Sequence, residues 1–218
     1  MSNTLVGIFG GTFDPVHLGH INAVNELNEK LEFEKIHWVL SARPPHKESL
    51  GADIEQRFEM LRRALSDYPD YVADDCEIIR KEKSYTLYTV QHFSQLYPSY
   101  QLCLIIGMDS LRKLPTWHRH TELLEQVSLI VMTRPGYDMK VPKALKPQVV
   151  HSLSEIRTQS KGGIFIFEQP NYWVSSTHIR ARLADEKTPA TEAELNKWLP
   201  RSVIDYVQAR QIYAQAIK

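Results

Sequence analysis

The sequence has no surplus of charge of either sign: 26 Lys and Arg stand against 26 Asp and Glu over 218 residues. Proteins held to nucleic acid or to an anionic membrane by long-range attraction carry a basic excess, so that class is excluded and only local anion sites remain open. Long apolar runs are also missing, since no stretch approaches the roughly 18 to 20 apolar residues that span a bilayer. The first eleven residues lack a basic segment and their apolar run is short and glycine-interrupted, which argues against a secretory leader. There are only two cysteines, Cys76 and Cys103. Each sits in an apolar segment that reads as a strand, and both are expected to be reduced core residues rather than redox or metal groups. Internal repeats and low-complexity tracts are absent. These features predict a cytoplasmic protein with neither nucleic acid nor membrane as partner; self-association is left open.

What is present is an ordinary globular composition, 43% hydrophobic and 24% charged, arranged as short apolar runs alternating with segments of helical period. That alternation predicts an α/β fold, a Rossmann-like doubly wound parallel sheet. Expected strands are Leu5 to Phe9, Lys35 to Leu40, Asp75 to Ile79, Leu102 to Ile106, Val127 to Thr133 and Ile164 to Phe167. One helix carries Leu18, Ile21, Val24, Leu27 and Leu31 on a stripe. A second is opened by Asp53 with Gln56 three residues on, and a third carries Leu87, Val90, Phe93 and Tyr97. From about Ser176 onward the pattern is helical only, a C-terminal helical cap. The segment from Arg134 to Gly163, with Pro135, Pro142 and Pro147 and the lysines Lys140, Lys143 and Lys146, reads as a solvated excursion. Residues 1–218 are taken as one domain, with 176–218 its helical C-terminal part.

The first strand runs straight into Gly10-Gly11-Thr12-Phe13-Asp14-Pro15-Val16-His17-Leu18-Gly19-His20 and then a helix. A glycine-rich strand-to-helix turn lets backbone N–H groups approach a phosphate while the helix N-terminus faces it. It is not the G-x-G-x-x-G of dehydrogenases, and no acidic residue ends the second strand. It is not a Walker A loop either. His17 and His20 have three readings: zinc ligands, for which a third ligand at characteristic spacing is missing; ordinary helix-start residues; or hydrogen-bond donors to a polyphosphate. Near the other end, Ser175, Ser176 and Thr177 are hydroxyls at a helix start, with Arg180 one turn later. They read either as simple caps or as a second anion site. Asp109, at a strand tip, either caps the following helix or meets a ligand; Trp117 either packs or stacks on a ring. Asp14 either touches ligand or shapes the turn before Pro15.

Together, G-G-T-F-D-P-V-H-L-G-H and Ser175-Ser176-Thr177-His178-Ile179-Arg180 resemble the nucleotidyltransferase superfamily with H-x-G-H and S-x-T-x-x-R motifs. In full form they resemble the bacterial nicotinate mononucleotide adenylyltransferases. The likeness runs from Val6 to about Tyr213. It implies adenylyl transfer from ATP to nicotinate mononucleotide, giving the deamido dinucleotide and pyrophosphate in NAD biosynthesis. His17, His20 and Arg180 are then catalytic. Gly10, Gly11, Thr12, Phe13, Lys47, Gly107, Arg134, Ser176 and Thr177 would bind ATP and its phosphates. Thr86, of Ser84-Tyr85-Thr86, would bind nicotinate mononucleotide together with Asp109, Trp117 and His118. The attacking phosphate is already ionised, so neither a general base nor a covalent intermediate is required. Mg2+ is expected to arrive with ATP, with no dedicated metal cage in the protein.

Competing readings are an adenylyltransferase acting on nicotinamide mononucleotide or phosphopantetheine, and a non-catalytic nucleotide sensor. A class I aminoacyl-tRNA synthetase would need a K-M-S-K-S segment that is missing here. The sequence departs from the family in a longer link from Ala184 to Glu194 and in its ending Ala209-Arg210-Gln211-Ile212-Tyr213.

Overall fold

The computed structural model describes residues 4–214 except 44–49, 81–82, 134–135, 137–139, 159–160, 171, 173 and 186. Seven strands form one sheet: β1 (Leu5–Gly11), β2 (Lys35–Leu40), β3 (Tyr71–Asp74), β4 (Gln101–Gly107), β5 (Ser128–Thr133), β6 (Val149–Val150) and β7 (Ile164–Glu168). Their order is β3-β2-β1-β4-β5-β7-β6, and every neighbouring pair is parallel. The chain winds outward from β1 in one direction and then from β4 in the other, which is the doubly wound arrangement expected.

Side chains alternate across a strand, and β1 shows what this does. Leu5 and Phe9 join an apolar cluster with Ile21, Val24 and Leu27 of α1 (Leu18–Leu31) and Met60 and Leu61 of α2 (Ile54–Ala64). Val6 and Ile8 point into the opposite cluster, with Leu87, Val90 and Phe93 of α4 (Thr86–Leu96). A sheet buried on both faces needs apolar strands throughout, and β4 and β5 are buried from end to end apart from Gly107. Helices α8 (Ser176–Leu183), α9 (Glu192–Trp198) and α10 (Arg201–Ala209) contribute Ile179, Leu195, Val203, Ile204 and Val207 to the first cluster. The C-terminal helices thus pack into the same core as α1 and α2. No helix among the described residues is long and apolar enough to cross a membrane.

Two expectations fail locally. The segment from Asp75 to Ile79 is not a strand but α3 (Cys76–Ile79), and the strand lies just before it, where Tyr71–Asp74 pair with Ile36–Val39. The Asp74 carboxylate accepts the Cys76 N–H at 3.0 Å, a local turn that ends the strand and starts the helix despite its strand-like Ile-Ile pair. Cys76 is therefore helical and partly exposed, whereas Cys103 is buried in β4; both are free thiols. The excursion after β5 is also more ordered than expected. It holds β6 and α7 (Leu153–Thr158), and Leu145, Val150 and Ile156 are buried. Two further short helices, α5 (Met108–Lys113) and α6 (His120–Leu124), follow β4.

Candidate active site

A cleft of about 340 Å³ opens at the carboxyl end of β1. It is lined by Phe9, Thr12, His17, Gly19, His20, Ala23, Met132, Gln169, Tyr172, Val174, Ser175, Ser176, Thr177 and Arg180. The outward winding changes direction between β1 and β4, and the strand tips at such a point leave a crevice in open parallel sheets. Both motifs, from opposite ends of the chain, line this single cleft.

His17 is the N-cap of α1. Its Nδ1 accepts the His20 N–H at 3.2 Å, and His20 Nδ1 accepts the His17 N–H at 3.3 Å, so two imidazoles perform the reciprocal cap usually made by Ser and Glu. The rings stack at 3.6 Å with 17° between planes. An Nδ1 that accepts cannot hold the proton, so each neutral ring carries it on Nε2. What the pair can offer a ligand is N–H donors, not metal-binding lone pairs. Among the described residues no group of three or more His, Cys, Asp or Glu could hold a metal ion.

Gly19 between them is required by packing. A Cβ there would lie 2.6 Å from Val174 Cγ1 and 3.1 Å from His17 Nδ1. The first motif's glycine thus lets the residue just before the second motif approach. At Gly11 a Cβ would lie 2.7 Å from the Phe13 ring, while Gly10 and Gly107 have nothing within 4 Å. Phe13, with φ +46°, is 2% exposed and its ring meets Phe9, His20 and Trp38, so only its backbone can serve a ligand.

Across the cleft Ser175 caps α8 by accepting the His178 N–H at 3.2 Å. The Ser176 hydroxyl donates to the Pro15 carbonyl at 2.9 Å, tying α8 to the first loop, while Thr177 is exposed on the cleft wall. Arg180 Nη1 donates to the Asp14 carbonyl at 2.6 Å and lies 3.6 Å from the Asp14 carboxylate. Asp14 is 2% exposed, and its carboxylate accepts the N–H groups of Gly51 and Ala52 at 2.8 and 3.1 Å and the Tyr213 hydroxyl at 2.8 Å. It shapes the turn. Burial, with Asp14 alongside, pushes the Tyr213 hydroxyl far above the ordinary tyrosine range, so it remains a donor.

Sequence reasoning missed Arg57. This side chain is fully buried and donates to the carbonyls of Thr12 (2.9 Å), Ser41 (3.0 Å) and Ala42 (3.4 Å), holding the glycine loop against the end of β2. Burial lowers its pKa, opposed by Asp14. A signal existed: position 57 falls on the apolar stripe of α2 beside Ile54 and Leu61, where a charge needs buried acceptors. Gln169 and Tyr172, which also line the cleft, lie outside any motif.

The second group of expected residues is gathered away from this lining. Thr86 is the first residue of α4, whose N-cap Tyr85 makes no side-chain cap. The Tyr85 ring stacks on His118 at 4.5 Å and 25°, and Tyr88 Oη lies 3.4 Å from His118 Nε2. The Ser84-Tyr85-Thr86 and Trp117-His118 segments therefore meet. Trp117 is half-buried against the second apolar cluster, and Asp109 is exposed in the first turn of α5, 3.8 Å from Arg112. Lys47 and Arg134 lie outside the described residues.

Comparison with known proteins gives the family and the fold. The cytidylyltransferase-like family model matches residues 8–182. Proteins of Oceanobacillus iheyensis and Klebsiella pneumoniae, both named "probable nicotinate-nucleotide adenylyltransferase", are 34% identical over 208 and 215 residues. They cover 95% and 96% of this chain and 96% and 97% of their own. A solved structure of the Plasmodium falciparum nicotinic acid mononucleotide adenylyltransferase complexed with NaAD has the same fold. Its TM-score is 0.75 at 18% identity, covering 99% of this chain and all of that one. Motifs, cleft and relatives agree, and the chain belongs to the cytidylyltransferase-like family, among the nicotinate-nucleotide adenylyltransferases.

Proposed function

We propose that this cleft transfers the adenylyl group of ATP to nicotinate mononucleotide, a step of NAD biosynthesis in the cytoplasm. The observation that carries this reading is the convergence of two anion-binding motifs on one cleft, with His17, His20, Thr177 and Arg180 all in its lining. A 5′-phosphate oxygen of the mononucleotide attacks the α-phosphorus of ATP, the bond from that phosphorus to the bridging oxygen breaks, and pyrophosphate leaves. No proton needs to move, because the nucleophile is already an anion. The protein's work is therefore positioning and dispersal of charge. His17 and His20 present N–H donors to the α-phosphate region. The first-turn N–H groups of α8, Thr177 and Arg180 hold the far phosphates, with Gly10, Gly11, Thr12 and the Phe13 backbone along the near side. Ser176 contributes its backbone N–H, since its hydroxyl serves Pro15. Lys47, Arg134 and Gly107 complete the ATP side by their motif positions.

Mg2+ enters as part of the substrate. The cleft lining is imidazole, hydroxyl, amide and guanidinium, a donor set for phosphate oxygens, and the neighbouring Asp14 carboxylate already serves three protein donors. The ion then keeps phosphate and water ligands. On the acceptor side, Thr86 at the start of α4 favours a carboxylate over an uncharged amide, Trp117 and His118 offer flat faces, and Asp109 a ribose contact.

The test is pyrophosphate release with MgATP and, in parallel, nicotinate mononucleotide, nicotinamide mononucleotide or phosphopantetheine, with the products resolved by chromatography. Strong preference for nicotinate mononucleotide is expected. Preference for another acceptor reassigns the substrate, and ATP binding without turnover on any of them identifies a sensor.

A further inference from the structure

Near the last described residues, the Tyr213 hydroxyl bonds Asp14, the residue that in turn holds Arg180 of the cleft lining. Tyr213 adopts φ +69° and Gln211 φ +51°, both in the left-handed region that non-glycine residues enter only at a cost. Strain kept in the backbone marks a placement that its surroundings enforce. What the placement achieves is specific. The Tyr213 hydroxyl donates to Asp14 Oδ1 at 2.8 Å, and the Asp14 main-chain carbonyl accepts Arg180 Nη1 at 2.6 Å. The same guanidinium nitrogen is 3.6 Å from Asp14 Oδ2, so carbonyl and carboxylate of one residue compete for it.

The carboxylate is nearly dry, at 2% exposure, and such an anion attracts a cation strongly unless donors disperse its charge. Among the described residues, Tyr213 gives this carboxylate a side-chain hydroxyl donor, alongside the Gly51 and Ala52 amides. Arg57, on another side, also faces this charge. Packing tightens the arrangement. A Cβ on Gly51 would stand 2.6 Å from Arg180 Cδ and 2.8 Å from the Tyr213 ring, so arginine stem and tyrosine ring close on the same point of backbone.

We propose that Tyr213 is a positioning residue for Arg180: by bonding the Asp14 carboxylate it keeps the guanidinium on the Asp14 carbonyl, at the cleft wall, instead of drawn inward onto the carboxylate. This rests on the reading of Arg180 as a ligand of the ATP phosphates. It gives the last turn after α10 a part in the reaction.

A double-mutant cycle tests it, with kcat and the KM for ATP measured on wild type, Tyr213→Phe, Arg180→Ala and the double variant. Tyr213→Phe, which removes only the hydroxyl, is expected to lower kcat/KM for ATP about tenfold, a typical loss for a hydrogen bond to a charged group. In the Arg180→Ala background it should have no further effect. Gly51→Ala, which keeps the hydroxyl but presses on both the arginine stem and the tyrosine ring, should show the same dependence on Arg180. Equal losses from Tyr213→Phe in both backgrounds, or wild-type kinetics in Tyr213→Phe, would overturn the positioning role alone. Wild-type turnover in Arg180→Ala would remove the phosphate reading beneath it and the proposal together.

Discussion

At the scale of single residues, the site is built from groups whose identity is dictated by what they touch. The histidine pair shows this: each ring spends Nδ1 on the other's backbone N–H and so directs its proton to Nε2, which neither lysine nor arginine could do. Gly19 is dictated from outside its own motif, by Val174 at 2.6 Å from its virtual Cβ. Gly19→Ala should therefore separate the two halves of the cleft, with a stability loss of about 1 to 3 kcal/mol and reduced turnover. Pairing it with Val174→Ala should restore much of both, measured by denaturant titration and initial rates. No recovery in the pair would mean that Gly19 matters for its backbone and not for this contact. The residue type at each motif position was legible in the sequence. The reasons for Asp14, Arg57 and Tyr213 were not, because their partners are separated by 15 to 199 positions along the chain and only the fold brings them together.

At the scale of elements, strands and helices with a strong period were read correctly and the weak ones were not. Asp53 does cap α2 with Gln56 in a reciprocal box, as the spacing predicted, because both halves of that device are local. The β2–β3 edge was misread because its strand boundary depends on Asp74, whose side chain turns the chain into α3. The same carboxylate stabilises the edge. Burial alone would raise its pKa, but hydrogen bonds from the His37 ring at 3.0 Å, the Cys76 amide and the Cys76 thiol outweigh that and hold it below the usual carboxylate range. His37 in turn lies 2.8 Å from the Tyr97 hydroxyl, linking the edge to α4. A depressed carboxyl stabilises the fold above its unfolded pKa of about 4, and that contribution fades as pH falls through the lower folded value. Asp74→Asn should therefore cost a constant amount of stability above about pH 5, and the difference from wild type should shrink below about pH 4. Parallel curves throughout the acid range would contradict the assignment.

At the scale of the molecule, a sheet wound outward in two directions leaves its crevice where the winding turns, and the chain delivers one motif there from β1 and the other from α8, more than 150 residues later. The doubly wound class was legible because alternation of strand and helix is a property of the sequence, whereas the meeting of two motifs on one cleft is a property of the packing. The second group, around Tyr85 and His118, is joined by ring contact between segments some thirty residues apart. Arg43, just after β2, donates its N–H to the Ser84 hydroxyl at 3.2 Å, so the end of β2 and the start of α4 share a boundary. Such a layout fits the proposal that the adenylyl group passes directly from one ligand to the other, without parking on the protein. The stereochemical course at the α-phosphorus tests that claim most directly, using ATP made chiral there with sulfur and oxygen isotopes, nicotinate mononucleotide as acceptor, and analysis of the dinucleotide formed. A single in-line displacement predicts inversion of configuration, whereas retention would mean a covalent adenylyl-enzyme and would contradict the account of positioning alone.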